Sequence, residues 1–178
     1  AGDGEYLLLK EVKPGILKPV DSVIPGKDGR FSFRSETEWP AFFMLSMDDN
    51  DFLTMLIAPG EKIEVKAERN SMARPSSVTG SDGTSVILAY RKDQDEVVAG
   101  LKRLTDIYND SIDSPRRPLL MDSLDRCAAG IVADFRERAL TLLEENRSSM
   151  IPVYLLNQHV VQGLALFEPA KNPALFLC

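Results

Sequence analysis

Up to about residue 80, short runs in which apolar and polar residues alternate are separated by Gly, Pro, Asp and Asn, the pattern of half-buried strands divided by turns. Seven strands are predicted: Glu5–Val12, Leu17–Ile24, Arg30–Arg34, Ala41–Met47, Phe52–Ala58, Lys62–Ala67 and Ser76–Thr79. The turns fall at Pro14-Gly15, at Pro25-Gly26 with Lys27-Asp28-Gly29, at Asp48-Asp49-Asn50-Asp51 and at Pro59-Gly60. Strict alternation in Arg30–Arg34 puts Phe31 and Phe33 on one face. Ala41–Met47 is apolar on both faces apart from one serine, which suits a central strand.

At Thr79-Gly80-Ser81-Asp82-Gly83-Thr84 the period lengthens to that of a helix. Ile87, Tyr90, Val97, Leu101, Leu104 and Tyr108 fall at helical spacing, and Ser81 or Asp82 can cap the first turn. After a loop holding Pro115, a second helix starts near Pro118 and carries Leu120, Leu124, Cys127, Ile131, Phe135 and Leu142 as its apolar stripe. It runs to about Asn146, about 45 Å at 1.5 Å per residue. A third helix starts at Ser148 or Ser149, holds Pro152 in its first turn and stops near Gly163. The expected fold class is α+β: an antiparallel β-sandwich of about seven strands over residues 1–80, then a three-helix region over residues 81–178.

Composition narrows the function classes. With 178 residues and 44% hydrophobic side chains the chain can bury a core. Lys+Arg 21 against Asp+Glu 27 gives a net charge of −6, so the concentrated basic surface that phosphate recognition needs is missing and no nucleic-acid partner is expected. No apolar run reaches the roughly 18–20 residues of a membrane span. The opening Ala-Gly-Asp-Gly-Glu is expected to be that of a mature or trimmed product, and the close at Phe176-Leu177-Cys178 to be a cut.

Candidate chemistry is sparse. His159 is the single histidine, predicted on the third helix with no carboxylate three or four residues away, so a structural or surface role is expected. Cys127, on the apolar stripe, is expected to be a buried, slow-reacting thiol, and Cys178 has no neighbour that reads as a partner. Asp48-Asp49-Asn50-Asp51 offers oxygen ligands but lacks the alternate spacing, the glycine and the distal glutamate of a calcium loop, so a solvated hairpin turn is expected. Gly80-Ser81-Asp82-Gly83 has the look of an anion nest, yet no Gly-Lys-Ser/Thr follows and Asp82 would repel phosphate; a capped joint is expected. Phe42, Phe43 and Phe52 are expected in the sandwich core rather than in a ligand groove. No catalytic, cofactor-binding or metal-ligating residue is assigned, and no cofactor is expected.

Three pieces of the β-rich half resemble a known family. They are Lys27-Asp28-Gly29-Arg30-Phe31, Ile57-Ala58-Pro59-Gly60-Glu61-Lys62-Ile63-Glu64-Val65 and the Val78-Thr79-Gly80-Ser81 entry to a long helix. Residues 5 to 82 resemble the amino-terminal domain of unknown function that precedes a thioredoxin-like (AhpC/TSA) domain in exported bacterial thiol-disulfide oxidoreductases. The resemblance implies a periplasmic or outer-envelope location, membrane contact only through an amino-terminal lipid anchor, a thioredoxin-like domain carboxy-terminal to this region as partner, and leaves self-association open. The family's redox motif, Trp-Cys-x-x-Cys, does not occur here, and Trp39 is followed by Pro40. The expected function is a non-catalytic accessory or anchoring region of such an enzyme, with no reductase activity of its own. The alternative is an envelope binding module for a peptide or carbohydrate, using the sandwich face or the cleft beside the helices.

Overall fold

The computed structural model describes residues 6–48, 50–68, 71–111 and 117–176. Glu5, Asp49, Pro115 and Cys178, which the sequence places in a strand, a turn, a loop and the tail, lie outside the described residues. The chain divides into two compact units, Ala1–Leu88 and Ala89–Cys178.

The first unit is built on an antiparallel sheet of β1 (Leu7–Lys13), β2 (Ile16–Val23), β3 (Ala41–Ser46) and β4 (Phe52–Ile57), in the order β2-β1-β3-β4. β1 and β2 join through Pro14-Gly15, where Gly15 takes φ 75°, a value that costs a glycine little. β3 lies between β1 and β4, so its apolar residues on both faces match an inner strand. Leu7 and Leu9 of β1, Phe43 and Leu45 of β3, and Leu53 and Met55 of β4 share one face and form the buried core with Met72. A second, two-stranded sheet of β5 (Glu64–Lys66) and β6 (Ser77–Thr79) places Val65 and Val78 against that core.

A seven-stranded sandwich is therefore not what forms: among the described residues the first unit has one four-stranded and one two-stranded sheet. The difference lies at Arg30–Arg34, which joins no ladder. Its alternation is nonetheless real, since Phe31 and Phe33 are half-buried against the core, 6.0 Å apart, while Ser32 and Arg34 are exposed. Side-chain periodicity fixes which face of a segment is wet; pairing needs a neighbour with a free edge, and β1 and β3 are each paired on both sides.

Both outer edges of the larger sheet are guarded. β2 carries Pro19, which has no N–H to offer, and a register shift opposite Leu9 and Lys10. On β4 the Leu56 N–H donates to Thr84 Oγ1 (3.2 Å), and the Leu56 carbonyl accepts from Ser81 Oγ (2.7 Å) and Thr84 Oγ1 (3.1 Å). Ser81 also caps the first helix, α1 (Asp82–Asp110), by accepting from the Thr84 N–H at 3.3 Å. One pair of hydroxyls thus starts the helix and closes the strand edge.

The second unit continues α1 and adds α2 (Arg117–Glu145), α3 (Ile151–Leu156), a hairpin of β7 (His159–Val161) and β8 (Leu164–Ala165), and a short 3-10 turn, Pro173–Phe176. α2 buries Phe135, Ala139 and Leu143, while Asp93 of α1 accepts two hydrogen bonds from Arg138 of α2 at 2.8 and 2.9 Å. Two expectations are corrected here. The third helix ends at Leu156 rather than Gly163, and His159 lies in a strand. The β-branched Val160-Val161 and the turn at Gln162-Gly163, with Gly163 at φ 81°, favour a hairpin over continued helix.

Candidate functional site

Within the first unit, Phe31, Phe33, Ile63, Val65 and Ala67 cover the core face of the larger sheet, and a cleft opens between them. Leu9, Phe43, Leu45, Met55 and Ile57 form the floor of a cleft of about 890 Å³. One wall is the segment around Phe31 and Phe33; the other is Ile63, Val65 and Ala67, leading into and through β5. The volume lies within the range of ligand pockets, and an apolar floor with a few polar groups at the rim is their usual chemistry. Asp28, Arg30, Glu61, Glu64, Lys66 and Glu68 stand at the rim.

The rim charges are unevenly committed. Asp28 and Arg30 pair with each other (3.6 Å), and Asp28 Oδ1 also accepts from the Arg30 N–H at 3.1 Å. Glu61 Oε2 accepts from the Ala58 N–H (2.9 Å) and Gly60 takes φ 82°, which fixes the Pro59-Gly60 turn at one end of the β5 wall. The remaining charges on that wall are two glutamates, Glu64 and Glu68, around one cation, Lys66. With exposed Lys62 on the same side, its outward face carries both signs equally.

Sequence-predicted candidates fall in separate places. Phe43 is core and cleft floor at once: it is 3% exposed, yet its ring closes the base of the cavity. Phe42 and Phe52 are half-buried and do not line it. In the aspartate turn Asp48 Oδ1 accepts from the Asn50 and Asp51 N–H groups at 2.7 and 2.8 Å. Asp51 does something the sequence did not reveal. Its two carboxylate oxygens accept from the Met72 and Ala73 N–H groups, both at 2.7 Å, and so fasten the segment that buries Met72 in the core. Among the described residues no group of three or more His, Cys, Asp or Glu is placed to hold a metal ion.

His159 is exposed, and its backbone carbonyl accepts from the Gln94 side chain. Cys127 is exposed, contrary to the expectation of a buried thiol. The buried stripe of α2 runs through Phe135, Ala139 and Leu143 and, toward the N-terminus, through half-buried Ile131, Ala128 and Leu124; Cys127 lies just off it. In a Cys178→Ser chain, Cys127 should react with a maleimide at neutral pH as fast as an unstructured thiol, and Cys127→Ser should leave the melting temperature unchanged. A markedly slower rate would return the thiol to the core.

One titratable group in the second unit is buried without a partner. Tyr90 stacks on Phe135 (5.5 Å between ring centroids) and meets Tyr154 edge-on (5.9 Å), and its hydroxyl makes no hydrogen bond. Burial pushes this hydroxyl well above the usual phenol range, with Tyr154 and Asp93 adding to the shift; burial also raises Tyr154, which Arg91 opposes. An unpaired buried hydroxyl is a cost, so Tyr90→Phe should stabilise the chain by about 1 kcal/mol in urea unfolding. A loss of stability would mean that the hydroxyl is satisfied in solution.

Residues 1–86 match a family model described as Domain of unknown function (DUF4369). A domain of that family therefore forms the amino-terminal half of the chain. No curated protein matches the sequence, and no solved structure does.

Proposed function

We propose that the chain is a non-catalytic binding module whose first unit takes a peptide or carbohydrate of the cell envelope in the cleft between Phe33 and Val65. The observation that carries this is the cavity itself: about 890 Å³, floored by side chains of the larger sheet and rimmed by charge. A peptide fits better than a sugar, because the one floor ring, Phe43, is sunk in the core rather than presented flat at the surface. The test is a titration of the ¹⁵N-labelled chain with a pool of random hexapeptides and, separately, with a pool of oligosaccharides. Amide shifts clustered on Phe31, Phe33, Phe43 and Val65 with either pool are the expected result. No shift at these residues with either pool would sink the proposal.

A second reading, that the chain is an accessory region of an envelope thiol-disulfide oxidoreductase, rests on the resemblance of residues 5 to 82 alone, since the matched family model describes a domain of unknown function. Dithiol reduction needs an attacking and a resolving thiol within bonding reach, and Cys127 stands exposed on a mid-helix turn, with no other cysteine among the described residues. The purified chain is accordingly proposed to have no insulin-reducing activity above the thiol background. Turnover lost on Cys127→Ser would overturn the non-catalytic assignment.

A further inference from the structure

We propose that the outer edge of β4 is a self-pairing strand which the first turn of α1 holds shut, so that releasing this clasp joins two copies of the chain, β4 to β4, in one continuous sheet. The inference uses a different surface from the cleft and does not depend on what the cleft binds. β4 stands at the end of the order β2-β1-β3-β4, and its register with β3 runs without a shift. Its sequence, Phe-Leu-Thr-Met-Leu-Ile, holds no charge and no proline, the usual guards against an edge pairing with another chain. Protection comes from outside the strand instead. The Leu56 N–H and carbonyl both point away from β3, to Thr84 Oγ1 and Ser81 Oγ, and these two buried hydroxyls bond each other at 3.1 Å. Gly83 packs on the same residue, since a Cβ there would lie 2.8 Å from Leu56 Cδ2.

Alternation along an antiparallel strand fixes the rest of the edge. Because Leu56 turns its main-chain groups outward, Thr54 and Phe52 do so too, while Leu53 and Met55 turn theirs to β3. On its outward side Thr54 makes no hydrogen bond among the described residues. A second β4 related by a two-fold axis at Thr54 meets this pattern: Thr54 falls opposite Thr54, Phe52 opposite Leu56, and Leu53 opposite Met55. Every outward N–H then faces an outward carbonyl, and each cross-strand pair is apolar on apolar or hydroxyl on hydroxyl, with no like charges opposed. This match of the strand with itself identifies the occupant as a second copy. Leu56 takes part at both ends of the pairing, so the Ser81 and Thr84 hydroxyls and the second copy compete for the same two backbone groups.

Sedimentation equilibrium of the purified chain, beside Thr84→Val and Thr84→Val with Thr54→Lys, tests this. Thr84→Val keeps the side-chain shape and the Ser81 cap but removes both Thr84 bonds to Leu56. It should self-associate at least about tenfold more tightly than the unmodified chain, with Thr54 amide exchange slowing as concentration rises. Thr54→Lys sets two like charges at the two-fold axis and should return the Thr84→Val chain to the monomer. A folded Thr84→Val chain that associates no more tightly than the unmodified one would overturn the proposal, as would dimers that survive Thr54→Lys. Should Thr84→Val fail to fold, hydrogen exchange in the unmodified chain decides. A clasp that opens by itself frees the Leu56 amide at least about tenfold faster than the Met55 amide, which faces β3 and needs the sheet to come apart. Equal rates at Leu56 and Met55 would mean that the clasp never opens alone, and the proposal would fall.

Discussion

Gly80→Ala should unfold the first unit, at a cost of about 4 kcal/mol or more. Gly80 sits at φ 88°, and a Cβ there would lie 1.9 Å from the Lys62 carbonyl oxygen and 2.9 Å from its carbon. Both are backbone atoms, held by the chain that leads into β5, so no side chain can swing aside. The joint between β6 and α1 exists only because the residue between them has no side chain, which lets the chain turn against Lys62 and deliver Ser81 and Thr84 to the edge of β4. Gly60→Ala is the informative control. Gly60 has nearly the same φ, 82°, but nothing within 4 Å of its missing Cβ, so it should lose only the strain of a left-handed alanine, about 1–2 kcal/mol. Denaturant unfolding of the two variants separates steric clash from backbone strain. Equal losses would show that the approach to Lys62 relaxes in solution.

Legibility of this fold followed the range of the interactions involved. β1 and β4 were readable because their burial alternates over much of six or seven residues, β3 because its run is apolar on both faces, and the Ser81 cap because a capping oxygen acts three residues away. Phe31 and Phe33 mark the limit: their common face was legible, whereas the absence of a ladder depends on which distant strands have edges to spare. Asp51 is the same case in a polar residue, since its partners at Met72 and Ala73 lie 21 and 22 residues on. The cleft was half legible. Phe43 was rightly placed in the core, but whether a cleft opens beside it depends on how Phe31, Phe33 and Val65 close over the sheet, and composition does not register that.

Cys127 failed for a different reason. A stripe written with steps of three and four leaves two neighbouring positions equivalent at each turn, and the choice between Cys127 and Ala128 rests on the helix's slow drift relative to its covering elements. From Phe135 backward the half-buried positions include Val132, Ile131, Ala128, Leu124 and Leu120, which puts Cys127 one position out of phase. The same phase identifies the residue on which the second unit most depends.

Phe135→Ala should therefore destabilise that unit by about 4 kcal/mol, the range for deleting a fully buried aromatic ring. Phe135 is 0% exposed, and its ring stacks on Tyr90, which in turn meets Tyr154 of α3, so an aromatic stack centred on Tyr90 ties α1, α2 and α3 together with Phe135 as its α2 member. The loss combines the transfer energy of the ring with a cavity that the surrounding helices can fill only in part. Phe135→Leu, which keeps most of the volume, should lose about 1–2 kcal/mol, and Cys127→Ala, about two helical turns away on the exposed side, nothing measurable. Urea unfolding followed by helical circular dichroism gives all three values. A Phe135→Ala loss below that of Phe135→Leu would mean that the aromatic stack does not anchor these helices, and that the buried stripe of α2 has a different centre.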